Sequence, residues 1–273
     1  MIGFFLLLLA VGCLTGITTV LFGFGGGFVT VPAVYAATIG TAATSGAGAM
    51  HTAVATSTAI MVVNAASATV ASARLGRLRR DYLWPITASI AVGAALGAVA
   101  ANRAPEALLH ILFVGYIAVT IVDSVVRKGF LSGPAGPAAG APLSPGTATF
   151  GGVGIGAVAS FLGIGGSVMT VPLLRRKGVP MAEATALANP LSLPVAIVGT
   201  VVYALAAPAG AHPGQVGYVS LAATAALVGG SVPTIALAKR VLAGRRIPDR
   251  AHALAYLILL GIILVAMVAT MVA

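Results

Sequence analysis

Acidic side chains are almost missing from this chain: five Asp and Glu stand among 273 residues, against fifteen Lys and Arg. Charge of either sign makes up 7% of the sequence, where soluble domains carry roughly 25%. A soluble fold is thereby excluded. One cysteine, Cys13, rules out an internal disulfide and reads as a membrane-buried thiol. The five acids, Asp81, Glu106, Asp123, Glu183 and Asp249, all fall near the ends of apolar runs. No carboxylate is left for a cation site at mid-membrane, which argues against a divalent-metal or sodium carrier built on buried carboxylates. Nor is there a phosphate-binding Gly-Lys loop, a His-x3-His pair or an acid dyad. ATP-driven transport within the chain is excluded, and an enzyme, a metal site and a cofactor are not expected.

What is present is hydrophobic sequence, 59% of the chain. Stretches free of charge run from Met1 to Ala73, Tyr82 to Asn102, Ala107 to Val122, Gly129 to Leu174, Ala184 to Ala238 and Ala251 to Ala273. About 20 apolar residues span a bilayer. In lipid, chains that are not closed barrels satisfy their backbone as helices. The fold class expected is all-α integral membrane, with about 8 to 10 membrane segments. The opening MIGFFLLLLAVGC has no basic residue and reads as the first membrane segment rather than a secretory leader. The net charge of +10 sits in short clusters between apolar runs, so it marks a membrane face rather than a nucleic-acid surface.

The chain repeats itself. FGFGGGFVTVPAV (Phe22 to Val34) and LGIGGSVMTVPLL (Leu162 to Leu174) share Gly-x-Gly-Gly-x3-Thr-Val-Pro in one register. Weaker matches continue through Ala53 and Ala184, Arg103 and Lys239, Glu106 and Asp249, and Phe113 and Tyr256. Equivalent loops carry opposite charge patterns. Residues 74–81 net +3 and their match 208–215 carry none; residues 239–250 net +4 and their match 102–106 net zero. Arg175, Arg176 and Lys177 follow the second glycine motif, and no charge follows the first. Under the positive-inside rule the two repeats are expected upside down relative to each other. The organisation expected is a first repeat over 1–128, a Gly/Pro/Ala linker over 129–146 and an inverted second repeat over 147–273. Each repeat is a Gly-broken hairpin (Ile2 to Ile39; Thr147 to Leu174) and three spans (Met50 to Ala73, Tyr82 to Ala101, Ala107 to Val126; Met181 to Ala207, Val216 to Ala238, Ala251 to Val272). Loops 74–81, 127–128, 175–177 and 239–250 are expected on the cytoplasmic side of a bacterial-type inner membrane, with both termini periplasmic.

The glycine motifs are the first site candidates. The second motif's arms are too short to cross about 30 Å of hydrocarbon, so its glycines turn the chain inside the membrane, where free amides at a helix start attract an anion. The candidate substrate-binding residues are Gly23, Gly25, Gly26, Gly27 and Thr30 in the first copy, and Gly163, Gly165, Gly166, Ser167 and Thr170 in the second. Small residues at such spacing also serve close helix packing. The span after each hairpin is polar: His51, Thr52, Thr56, Ser57, Thr58 and Asn64 in one, Thr185, Asn189 and Ser192 in the other. From these, Thr56, Ser57, Asn189 and Ser192 join the candidate pathway, and Pro190 and Pro194 are expected to kink or unwind the second helix and free carbonyls. His51 is the candidate for proton coupling, beside the alternative of a hydrogen-bonded structural histidine.

These residues resemble a known family. The paired Gly-Pro motifs, Ala53-x-Ala55-Thr56-Ser57 and Gly76-x-Leu78 before the span Tyr82 to Ala101 are similar to the sulfite exporter TauE/SafE family of membrane permeases, over nearly the full chain. The resemblance implies movement of sulfite, thiosulfate, sulfoacetate or related organosulfur anions. Ala186-Leu187-Ala188 departs from the Ala-Thr-Ser pattern in the second half. The expected function is a secondary transporter or facilitator of a small sulfur-containing anion. The expected partners are that small anionic substrate and the lipid bilayer, with no nucleic acid, and a homo-oligomer is left open. A carrier of another small solute, such as an organic acid, and a non-transporting membrane scaffold stay as alternatives.

Overall fold

A computed structural model describes residues 2–41, 48–74, 83–126, 145–176, 179–206, 214–242 and 248–272. Most of the linker 129–146, the basic loop 75–81, Arg127, Lys128, Lys177 and residues 243–247 lie outside the described residues.

The described chain is helical, as its long apolar runs dictate, in the order α1 (Ile2–Phe22), α2 (Gly27–Thr41), α3 (Ala49–Arg74), α4 (Ile86–Arg103), α5 (Glu106–Val126), α6 (Gly152–Leu162), α7 (Ser167–Arg176), α8 (Met181–Ala204), α9 (Leu221–Leu242) and α10 (Asp249–Val272). Seven of these are long and apolar enough to cross a membrane. A π-helical turn at Thr147–Gly151 leads into α6. The arms of the two glycine hairpins are unequal. At 21 residues, or about 31 Å, α1 has the length of a full span, whereas the arm Thr147–Leu162, π-helical turn and α6 together, is shorter and α7 has 10 residues.

Two expectations change. Pro190 and Pro194 lie inside an uninterrupted α8, so the helix is not unwound there. Residues expected to open the ninth helix instead form a hairpin, β1 (Gln215–Val216) against β2 (Val219–Ser220). The hairpin rests on α3 and α8: the Tyr218 amide donates to the Tyr203 carbonyl (3.1 Å), the Ser220 amide donates to Thr56 Oγ1 (3.1 Å), and the Tyr218 ring stacks on His51 at 5.0 Å.

The centre of the bundle is the contact between α3 and α8. Around it, contacts come in matched sets under exchange of α1–α5 with α6–α10. The α1–α9 contact corresponds to α6–α4, α2–α3 to α7–α8, and α3–α9 to α8–α4, while α5–α10 maps onto itself. Glycine makes the two outer seams. A Cβ on Gly12 or Gly230 would collide with the Leu227 or Leu9 carbonyl across the α1–α9 seam; one on Gly93, Gly97 or Gly156 would collide with the Val153, Ala157 or Ile90 carbonyl across α4–α6. Lipid tails are as apolar as leucine, so close backbone approach supplies the dispersion contact that holds membrane helices together.

Polar ends are matched too. The Met50 amide opening α3 donates to Glu106 Oε1 (3.1 Å), and the Met181 amide opening α8 donates to Asp249 Oδ1 (2.8 Å). In each case a carboxylate from the first turn of α5 or α10 meets the positive end of a central helix. The flanking partners differ: Arg175 pairs with Asp249 at 2.7 Å, while His51 lies 3.7 Å from Glu106.

Candidate functional site

The two glycine turns meet. Gly23, Gly25 and Gly26 take φ of 74°, 62° and 88°, and Gly163 and Gly165 take 68° and 69°, values that only glycine adopts cheaply. These reversals bring the turns into van der Waals contact: a Cβ on Gly27 would lie 2.8 Å from the Gly163 carbonyl oxygen, and one on Gly165 would lie 3.3 Å from that of Phe24. Met61 and Ser192, near mid-length of α3 and α8, border the same spot. Met61 packs against Gly25, Gly27 and Gly165 at once.

The helix ends at this crossing are treated unequally. The carbonyl ends of α1 and α6 are supplied with donors. Thr19 O accepts from the Gly23 amide (3.1 Å) and Asn189 Nδ2 (3.5 Å), and Leu21 O is met by His252 Nε2. Ala159 O accepts from the Ile164 amide (3.0 Å), in a Schellman closure, and Ser160 O from Tyr203 OH (2.8 Å). Gly163 O lies 2.6 Å from Ser57 Oγ, which is also 3.0 Å from Gly27 O. The hydroxyl has one proton for both acceptors. The amide ends of α2 and α7 instead begin on Gly26 and Gly166, which have no side chain to cap them.

Around those amide ends lie buried polar atoms without a hydrogen-bond partner: Ser167 Oγ, Thr170 Oγ1 and Asn64 Nδ2. Ser167 and Asn64 are 0% exposed and Thr170 is 1% exposed. Asn64 Oδ1 accepts from Ser231 Oγ (2.7 Å), which fixes the amide with Nδ2 facing Gly26, 2.7 Å from where a Cβ would be. An orphaned buried donor costs about 1–3 kcal/mol.

The other candidates are placed as follows. Thr30 Oγ1 bonds back to Gly26 O (2.9 Å) and Ser192 Oγ to Ala188 O (2.9 Å), so both protons are spent within their own helices. Asn189 turns its amide to Thr19 O and Thr185 O (3.4 Å), serving the carbonyl end of α1. Thr56 lies under the β-hairpin. His51 is away from the turns, with Nε2 3.1 Å from Ala101 O, near Glu106 and under Tyr218. Asn64 is legible in the sequence only as one more polar residue of its span. Its partner Ser231 is 167 residues away, and no local spacing announces the pair.

An aromatic wedge distinguishes the first turn from the second. Phe24 stacks on Phe28 (5.3 Å) and meets Tyr256 (5.3 Å), and Phe28 meets Phe113 (5.8 Å). The corresponding positions of the second turn are Ile164 and Val168. Among the described residues no group of three or more His, Cys, Asp or Glu side chains is placed to hold a metal ion.

A family model described as Sulfite exporter TauE/SafE matches residues 8–268. Neither a curated protein nor a solved structure matches the chain.

Proposed function

The chain belongs to the sulfite exporter TauE/SafE family, membrane transporters of sulfur anions such as sulfite, and from that premise we propose that the crossing of the two glycine turns is where this protein holds its anion. The observation that carries the reading is the inequality of the helix ends. Carbonyls at the crossing already have donors, while the amide ends of α2 and α7 have no side-chain cap and the buried Ser167 Oγ, Thr170 Oγ1 and Asn64 Nδ2 have no hydrogen-bond partner. Such a site attracts an oxyanion and disfavours a cation. Hydrogen bonds to a charged group contribute about 1.5–3 kcal/mol each, enough for a few of them to hold a small anion and still release it.

We read the two halves as inverted repeats in an inner membrane, with the basic loops cytoplasmic and the termini periplasmic. The paired contacts of α1–α5 and α6–α10 and the matched carboxylate caps support that arrangement. The anion at the crossing is exposed to one side and then the other. The deciding experiment is uptake of radiolabelled sulfite into proteoliposomes by the double variant Ser167→Ala/Thr170→Val, which removes both unpartnered hydroxyls at nearly constant volume. Transport is expected to fall at least tenfold with unchanged thermal stability. Wild-type flux in that variant refutes the site.

A further inference from the structure

The helices α4 and α6 lie backbone to backbone along their glycine seam, and α5 stands off from both. The gap is a groove of about 650 Å³, within the size range of sites that take a small molecule. Its floor is the seam at Gly97, and its walls are Leu96 and Ala100 of α4, Gly115 and Val119 of α5 and Phe161 of α6. The one polar side chain in this lining is Tyr116, and its hydroxyl is buried, so an occupant meets hydrocarbon and an aromatic ring. Leu96 and Val119 are exposed, so the groove opens outward, where a membrane-spanning bundle meets lipid.

Lipid tails are as apolar as leucine, so hydrocarbon alone gives no preference among lipids. One end of the groove supplies a preference. Arg103 closes α4 three residues, or about 5 Å, beyond Ala100, and Leu96, Ala100 and Arg103 share a helix face at i, i+4 and i+7. It is exposed, and its guanidinium makes a single long contact, Nη1 to the Val99 carbonyl of its own helix at 3.4 Å. Among the described residues no carboxylate pairs with it: Glu106, three residues on, accepts from the Met50 amide and faces His51. Its match in the repeat, Lys239, is spent on the Ser67 carbonyl at 2.8 Å. On the orientation proposed above, Arg103 also faces the side opposite the basic loops. An uncommitted guanidinium at the end of an apolar groove fits a phosphate joined to an acyl chain. We infer that the groove between α4, α5 and α6 is a binding site for an anionic phospholipid, with one acyl chain along Leu96, Gly115 and Phe161 and the headgroup phosphate on Arg103. The lipid fills the space beside α5 and ties that helix to the α4–α6 seam.

The sequence has one tryptophan, Trp84, so the variant Trp84→Phe/Leu112→Trp carries a single fluorophore, on the wall of the groove. In phosphatidylcholine bilayers containing a brominated lipid as quencher, its emission reports the relative affinity of the groove for that lipid. Brominated phosphatidylglycerol is expected to bind about fivefold more tightly than brominated phosphatidylcholine, equivalent to the roughly 1 kcal/mol that one Arg near a membrane surface contributes. Arg103→Gln in the same background is expected to bring the ratio to one. So is Gly115→Leu, which fills the groove from a position where a Cβ meets nothing within 4 Å. Soluble glycerol phosphate in excess is expected to leave the ratio unchanged. Equal affinity of the two lipids in the parent variant, or a preference that survives either substitution, overturns the lipid site. A preference abolished by glycerol phosphate assigns Arg103 to free phosphate, and a tryptophan that no brominated lipid quenches in a dimeric protein assigns the groove to a second copy of the chain; either result overturns the inference.

Discussion

Gly26 and Gly166 occupy the same place in the repeated motif, yet the structure predicts that alanine at the two positions has opposite effects. At Gly26 φ is +88°, and an L-residue in that region costs about 1–2 kcal/mol. The added Cβ would also lie 2.7 Å from Asn64 Nδ2, whose amide is anchored through Oδ1 to Ser231 Oγ. Moving it sacrifices a buried hydrogen bond of about 0.5–1.5 kcal/mol. Gly26→Ala is therefore expected to destabilise by about 2–3 kcal/mol and to displace a donor of the proposed anion site. Gly166 has no positive φ, and a Cβ there meets only Ile155 Cγ2 and Leu191 O, both at 3.4 Å, ordinary contact. Its replacement by alanine removes freedom from the unfolded chain and is expected to be neutral or to stabilise by up to about 1 kcal/mol. Reversible unfolding of both variants in mild detergent, with sulfite flux measured on the same preparations, gives both numbers. Equal destabilisation, or loss of flux in Gly166→Ala alone, refutes the geometry of the turns.

Gly156→Ala drives a Cβ into the Ile90 carbonyl, whereas Gly154→Ala meets nothing within 4 Å; the first is expected to lower the thermal midpoint by several degrees and the second to leave it unchanged, as scanning fluorimetry would register. Arg175→Met leaves the partly exposed Asp249 carboxylate without its guanidinium and should cost about 1–3 kcal/mol, part of it regained in Arg175→Met/Asp249→Asn, so a double-mutant cycle with no coupling refutes the contribution of the ion pair. With Cys13 replaced by alanine, cysteines at Trp84 (71% exposed) and Leu205 (81% exposed) should label from opposite sides of intact cells with an impermeant maleimide; labelling from one side contradicts the inverted halves.

The spans were legible because charge bounds them. The third helix, expected from Met50 to Ala73, runs Ala49–Arg74, since carboxylate caps and arginines mark its ends. The fourth starts at Ile86 rather than Tyr82, after Pro85 at its N-cap. The β-hairpin was not legible: Gln215 to Ser220 sits in an uncharged run where a short apolar stretch does not distinguish strand from helix, and the turn depends on Gly214 and Gly217 at positive φ. At the site, duplication pointed to the turns, but not to which donors remain unspent. Thr30 and Thr170 fill one motif position, and only Thr30 finds the carbonyl four residues back. That distinction is made by local geometry and tertiary packing, not by the motif.

The glycine seams also restrict how the molecule can move. Each seam joins one helix from either half, α1 to α9 and α4 to α6, with backbone set against backbone. A rocking motion that parts the first half from the second would have to tear both seams open. Any rearrangement about the α3–α8 contact that keeps the seams closed must carry α1 with α9 and α4 with α6. The duplicated motif thus describes how the chain is written, while its closest backbone contacts are made across the two halves.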